Sequence, residues 1–290
     1  MTEVDNHHPG VATRMKFSWS EFGIWVARYL SRLVRHNHMR YYLRSPSYGR
    51  IQVLVDTQKN ELLKFSVRDE IDIAVIQQVF VAEDYSLARL RRHREIVAWV
   101  DSIRTNGKRP LILDLGANTG LASLYFTREF PDAAIVALEP DPGNAAQARK
   151  NLRGFNSVKM VEGGISNQDG RANIVNPDDG NWAYRTEKSE TGSIEMVSVA
   201  KLIERYADAR SVPFIAKIDI EGFEDDLFAR NTEWFDAFPI VIIELHDWLL
   251  PGKLTSQNFL KLVSQRDRDF VYAGENVFSI ANSFASVDGC

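Results

Sequence analysis

From Pro110 onward the chain alternates short runs of Ile, Val and Leu with helical stretches, and this restricts the fold more than any other feature. The run "LILDLG" leads to a helical pattern over 119–129, "AAIVALEP" to another over 142–153, and "VKMVEGGI" follows. After a polar excursion come a helix near 199–207, the strand "PFIAKIDI", a helix from 222 and the strand "PIVIIELH". Each strand is apolar on both faces. Such strands belong in a parallel sheet covered by helices on either side, and strand–helix alternation is how a chain builds one. The tail "DFVYAGENVFSIAN" departs from the pattern. Two short strands around a Gly-Glu-Asn turn predict a hairpin, so the sheet is expected to end in an antiparallel strand.

Upstream the pattern changes. Residues 1–16 are polar, and 17–35, "FSWSEFGIWVARYLSRLVR", have helical periodicity with Phe22, Val26, Tyr29, Leu30 and Leu33 on one stripe. The plain reading is a helix packed on the main domain. The competing one is a basic amphipathic helix resting on an anionic membrane, with Arg28, Arg32 and Arg35 toward the lipid headgroups. Trp19 and Trp25 suit either. Alternation over 48–67 predicts a short hairpin turning near Asp56–Asn60. "IDIAVIQQVF" fits strand or helix, and Ser86 to Arg104 reads as a charged helix. The expected boundary falls near residue 86, with 1–85 an N-terminal extension and 86–290 the main domain.

The net charge of -4 disfavours a partner whose phosphates must be tracked, so no nucleic acid is expected. The one cysteine, Cys290, excludes an intrachain disulfide and a cysteine-based metal site. The first residues lack the layout of a signal peptide, and no apolar run is long enough to cross a bilayer. A cytoplasmic protein is expected, peripheral at the inner membrane face if 17–35 lies on lipid.

The strand end "LILDLGANTG" is where a ligand is expected, because open parallel sheets bind ligands beyond the carboxyl ends of their strands. Gly116 permits a tight turn, Gly120 permits close approach of a helix or a ligand, and Asp114 is an acceptor near the bend. The next strand ends in "LEPD", where Glu139 is placed to accept hydrogen bonds from both hydroxyls of a ribose. The run Gly116-Ala117-Asn118-Thr119-Gly120 lacks the third glycine of a pyrophosphate cradle. A cofactor with one nucleoside and no phosphates, S-adenosylmethionine (SAM), fits better. The plain alternative is a glycine turn capping a buried strand beside a solvated Glu139.

"DLGANTG", "ALEPDPGN", "GISNQDG" and "KIDIEGFEDDLF" together resemble the FkbM family of SAM-dependent methyltransferases, over about residues 110–246. "FSVRDEIDIAVIQQVFVAEDY" resembles the family's usual lead-in. The resemblance implies an α/β, Rossmann-like class I methyltransferase fold: a mostly parallel seven-stranded sheet with an antiparallel last strand, here with an N-terminal helical and hairpin extension. It implies an O-methyltransferase acting on hydroxyls of sugars, polyketides or related metabolites, some members being encoded among genes for surface polysaccharide. Asp114, Gly116, Ala117, Asn118 and Gly120 would line the methionine end of SAM. Glu139 would hold the ribose, with Pro140 and Asp141 beside the adenosine. Gly164 and Ile165 fall where such folds contact adenine, though the family more often has Ala near Ile165.

Lys217, Asp219 and Glu221 alternate at the end of "AKIDIEGFE", and Glu244 and His246 at the end of "IIELHDW". An ion pair and a capped helix would explain the first set. The functional reading puts Asp219 under the sulfonium end and Glu221 at the crevice mouth. An alcohol acceptor loses a proton, which calls for a positioned base. His246 is the first candidate because histidine titrates near neutrality, and Glu221 is the second. Asp219, Glu221, Glu244 and His246 also have the chemistry to hold Mg²⁺, but nothing in their spacing demands a metal, and none is expected. In the polar excursion 176–193, Trp182, Tyr184 and Arg185 would meet a sugar or other small-molecule acceptor, or form a solvated hairpin tip. Three further readings stay open: an NAD-dependent oxidoreductase, a non-catalytic SAM-binding module, and a nucleic-acid methyltransferase. The last lacks an Asn/Asp-Pro-Pro-aromatic motif at the fourth core strand.

Overall fold

The computed structural model describes residues 40–48, 50–175, 185–189 and 191–284. The chain divides into two units, Met1–Arg40 and Tyr41–Cys290, and every element below belongs to the second. The expected amphipathic helix 17–35, with Trp182, Tyr184 and Cys290, lies outside the described residues, and of Arg185 only the backbone is described.

Three antiparallel strands come first: β1 (Tyr41–Tyr48), β2 (Ile51–Asp56) and β3 (Glu61–Ser66). The last two are the expected hairpin. Its turn is held by Asp56 Oδ1, which accepts the N–H groups of Gln58 and Lys59 at 3.1 and 3.2 Å. The ambiguous "IDIAVIQQVF" is helical. Asp69 caps α1 (Glu70–Ile76) by accepting from the N–H of Ile71 and Asp72, and the chain runs on as a π-helical turn, Gln77–Val81. The charged helix, α2 (His93–Thr105), starts later than its periodicity predicts, after a 3₁₀ turn at Leu87–Arg89.

The expected alternation then appears as β4 (Arg109–Leu115), α3 (Leu121–Glu129), β5 (Ala134–Glu139), α4 (Pro142–Asn151) and β6 (Val158–Glu162). Asp141 caps α4, with Pro142 in the first turn where its missing N–H costs nothing. The run "VKMVEGGIS" is two strands rather than one. After Gly163 the chain enters β7 (Gly164–Ser166), which with β8 (Gly170–Val175), β9 (Arg185–Lys188) and β10 (Ile194–Ser198) forms a separate sheet ordered β7-β10-β8-β9. Next come α5 (Val199–Tyr206), β11 (Ser211–Ile218), α6 (Glu224–Leu227), α7 (Trp234–Ala237), β12 (Ile240–Glu244) and α8 (Gln257–Val263). The tail hairpin is β13 (Arg268–Ala273) and β14 (Asn276–Ala281).

The main sheet has seven strands in the order β13-β14-β12-β11-β4-β5-β6. Its strands from β12 to β6 pair in parallel, and β14 runs antiparallel to both neighbours, as the tail pattern predicts. Alternation along β4 buries both faces. Ile112 joins an apolar cluster with Leu121, Leu124 and Tyr125 of α3, whereas Leu111, Leu113 and Leu115 join another with Val199, Leu202, Phe235 and Phe259. The first cluster also takes in Tyr41, Leu54, Phe65 and Phe80, so the lead-in 41–85 packs into the same core as the sheet. Phe80 is central there, with its ring 5.1 Å from Phe65, 5.2 Å from Tyr41 and 5.8 Å from Tyr125. No helix among the described residues is long and apolar enough to cross a membrane.

Candidate active site

Strand order reverses at β4, which lies between β5 and β11. Crossover connections on the two sides of such a point leave in opposite directions, and the gap between them opens a cleft. That cleft encloses about 1080 Å³ including its open mouth, and its wall includes Gly116, Asn118, Glu139, Ile165, Asp219 and Glu221. Pro140 and Gly164 also line it.

The loop after β4 is shaped by close backbone approach. Gly116 has φ +81, and a Cβ there would stand 1.7 Å from the Asp219 carbonyl oxygen. No side chain fits between the ends of β4 and β11. The N–H groups of Gly116 and Ala117 both donate to Leu138 O, at 3.0 and 2.9 Å, which ties the loop to β5. Gly120 serves packing rather than the cleft: its Cβ would meet Leu152 Cδ1 at 2.9 Å and Ala148 Cβ at 3.1 Å.

Glu139 is 5% exposed, and its carboxylate is held from two sides. The Asn118 N–H donates to Oε2 at 2.8 Å and the Asp141 N–H to Oε1 at 3.0 Å. Burial pushes its pKa up from an ordinary 4.5 to about 7, against the lowering effect of those N–H donors. A carboxylate fixed in a cleft wall with acceptor capacity to spare suits a pair of hydroxyls.

Asp114, expected beside the methionine end of SAM, is fully buried and does not line the cleft. Ser123 Oγ–H donates to its Oδ2 at 2.6 Å, and Lys217 Nζ lies 3.1 Å from Oδ1. Lys217, 3% exposed, also donates to Gly116 O at 2.7 Å and stands 3.5 Å from Asp219 Oδ2. Burial alone would favour a neutral amine, but Asp114 leads the neighbours that reverse this and hold the pKa above its ordinary value. The pair therefore staples the β4 loop to the end of β11. Ala117 and Gly120 likewise do not line the cleft.

Where β11 and β12 end, the expected cluster assembles around His246. Its Nδ1 lies 2.7 Å from Glu224 Oε1, a residue that the sequence pattern did not single out. Its Nε2 faces Asp219 Oδ1 at 3.5 Å, Glu244 Oε1 at 3.6 Å and Glu221 Oε2 at 3.8 Å. Glu224 is fully buried and also accepts the Gly222 N–H at 3.1 Å, so it fixes both the loop and the imidazole. His246 is 2% exposed and is not a wall residue, whereas Asp219 and Glu221 are. Burial works against an imidazolium, but the Glu224 hydrogen bond and the surrounding carboxylates outweigh it and hold His246 at about 9. Burial, reinforced by Asp219, pushes Glu221 up to about 8 and Glu244 to about 7. The surrounding carboxylates thus favour the protonated imidazole, which sets Glu221 and Glu244 beside His246 as candidate bases. Other missed residues are Arg68 and Ile71, which line the cleft from the lead-in; Arg68 Nη1 donates to Asn144 Oδ1 at 2.8 Å.

A seven-stranded sheet in this order, with its antiparallel strand second from one edge and its cleft beyond β4, β5 and β11, defines a class I methyltransferase fold. The FkbM methyltransferase domain matches residues 114–272, and the chain belongs to that family of methyltransferases. The 2-O-methyltransferase NoeI of Sinorhizobium fredii is 26% identical over 193 residues, which are 60% of this chain and 77% of that protein. The hexuronic acid methyltransferase AglP of Haloferax volcanii is 23% identical over 201 residues, 66% of this chain and 80% of its own. Among solved structures, the precorrin-6y C5,15-methyltransferase of Geobacter metallireducens overlaps with a TM-score of 0.34 at 12% identity, covering 67% of this chain and 90% of that one.

Proposed function

We propose that this chain is a SAM-dependent O-methyltransferase acting on a hydroxyl of a sugar, glycoside or related metabolite, in the synthesis of surface polysaccharide or glycolipid. The carrying observation is Glu139: a buried strand-end carboxylate, positioned by the Asn118 and Asp141 amides on the wall of a cleft in a methyltransferase fold. Its acceptor oxygens fit the two hydroxyls of a ribose. Pro140, Gly164 and Ile165 would flank the nucleoside, and the loop through Gly116 and Asn118 would face its methionine end. When bound, SAM supplies a methyl group on a positively charged sulfur that leaves as a neutral thioether.

The chain's own task is to position an acceptor oxygen, exclude water and remove a proton. Asp219 and Glu221 stand where the cleft meets the His246 cluster, so they are the groups an incoming hydroxyl encounters. The proton goes to a cluster carboxylate, and Glu244, raised to about 7 against about 8 for Glu221, is the nearer to the optimum for a base at neutral pH. His246, held by Glu224, is a positioning residue that offsets the charge of the acids around it. A sugar acceptor is favoured because NoeI is described as a 2-O-methyltransferase and AglP as a hexuronic acid methyltransferase.

Mass spectrometry of glycan and lipid-linked extracts from cells with and without the protein tests this reading. A product heavier by one methyl group only when the protein is present is expected, with the methyl on oxygen. Its absence, or a methyl on nitrogen or carbon, overturns the assignment.

A further inference from the structure

The His246 cluster holds a geometry that hydrogen bonding leaves unexplained. The imidazole is 2% exposed, Nδ1 is committed to Glu224, and Nε2 points at three carboxylate oxygens without bonding to any of them. Those oxygens, at 3.5, 3.6 and 3.8 Å, lie beyond a normal N–H···O bond. They fall between the adjacent and the opposite ligand spacings around one small ion. Bonds of about 2.1 Å put adjacent octahedral ligands about 3.0 Å apart and opposite ones about 4.2 Å apart. The ligand atoms of Asp219, Glu221 and His246 all fall within 4.8 Å of one another. Closing that set around an ion needs a shift of less than about 1 Å. Glu224 on Nδ1 is the outer partner that metal-bound histidines use to fix the ring with Nε2 presented, and an ion binding there displaces the Nε2 proton to solvent.

We propose that Asp219, Glu221 and His246 bind a hard divalent cation, Mg²⁺ or Mn²⁺, at the acceptor end of the cleft. The role given to the ion rests on the methyltransferase reading; the site itself rests on the side-chain geometry alone. Two carboxylates and one imidazole select this class over softer ions, which prefer more nitrogen or sulfur. Asp219 and Glu221 line the cleft, so the ion's remaining positions face the place where a hydroxyl would enter. With Glu221 occupied as a ligand, Glu244 is the carboxylate left to take the proton. The acceptor O–H bond breaks toward Glu244, an oxygen–methyl bond forms, and the sulfur–methyl bond breaks with its electron pair staying on sulfur.

The test is a titration of chelator-treated full-length protein with MnCl₂, in the absence of SAM and acceptor, reading free Mn²⁺ by electron paramagnetic resonance. One ion per chain is expected, with binding at least about tenfold weaker in Asp219→Asn and Glu221→Gln and unchanged in Glu204→Gln, an exposed acid on α5. No stoichiometric binding up to millimolar Mn²⁺, or equal binding by all four proteins, overturns the site. Thermal unfolding of each variant confirms that loss of the ion is not loss of the fold. SAM binding is measured separately, so Mn²⁺ bound without SAM binding would defeat the methyltransferase reading and leave the cation site standing, and the reverse result would do the opposite.

Discussion

The Nδ1 atom of His246 lies 2.7 Å from Glu224 Oε1, and both side chains are withdrawn from solvent. That contact holds the imidazole with its other nitrogen toward Asp219, Glu221 and Glu244. Replacing Glu224 with Gln keeps the shape and removes the charge. The His246 pKa is expected to fall from about 9 by about one unit or more, measured by NMR with His246→Gln as the assignment control. The folded value exceeds the ordinary 6.5, so the stability His246 contributes is complete below about 6.5 and is lost as pH rises through about 9. In Glu224→Gln that alkaline loss should shrink. An unmoved pKa would show that the contact does not control the imidazole.

Donor binding should depend on Glu139 and on pH. The carboxylate at about 7 must be ionised to accept from both ribose hydroxyls, so affinity for SAM should fall as pH drops below about 7. Binding then favours the ionised form and releases a proton. Calorimetry at pH 6 in buffers of different ionisation enthalpy should show that release, and Glu139→Gln should abolish it. Affinity flat from pH 5.5 to 8 would contradict the assignment.

The two loop glycines should respond differently to alanine. At Gly116 the new Cβ would collide with backbone, Asp219 O at 1.7 Å, whereas at Gly120 it meets the end of the Leu152 side chain at 2.9 Å. Both positions have positive φ, which costs alanine about 1–2 kcal/mol by itself. Gly120→Ala should therefore fold with a modest loss of stability and bind SAM nearly normally. Gly116→Ala should lose more in urea unfolding and lose SAM binding.

Lys217 and Asp114 should behave as a coupled pair. Lys217→Met leaves Asp114 as an unpaired charge in the core, a loss of about 3–5 kcal/mol. Adding Asp114→Asn to that variant should restore part of the loss in urea unfolding. Additive single and double variants would show that the two do not interact.

Much of the fold was legible because burial on two faces leaves a plain mark: apolar runs rich in Ile, Val and Leu, without polar alternation, in β4, β5, β11 and β12. The break at Gly163 was not, since a single residue separates β6 from β7 while the two lie in different sheets. Glu139 was legible because a strand end fixes both its place and its exposure to a cleft. Asp114 and His246 were harder. Alternation says which face a side chain takes but not how deep it lies, and both sit behind the cleft wall. Glu224 was hidden within the acidic run "EGFEDDLF", where nothing local marks the carboxylate that turns inward to a histidine 22 residues away.

The most direct test of the cleft's role is calorimetric titration of the wild-type chain and of Glu139→Ala with SAM and with NAD at pH 7.5. One SAM site per chain, weakened at least about tenfold in Glu139→Ala, and no heat with NAD are predicted. Saturable binding of NAD in place of SAM, or equal SAM affinity in the two proteins, would contradict it.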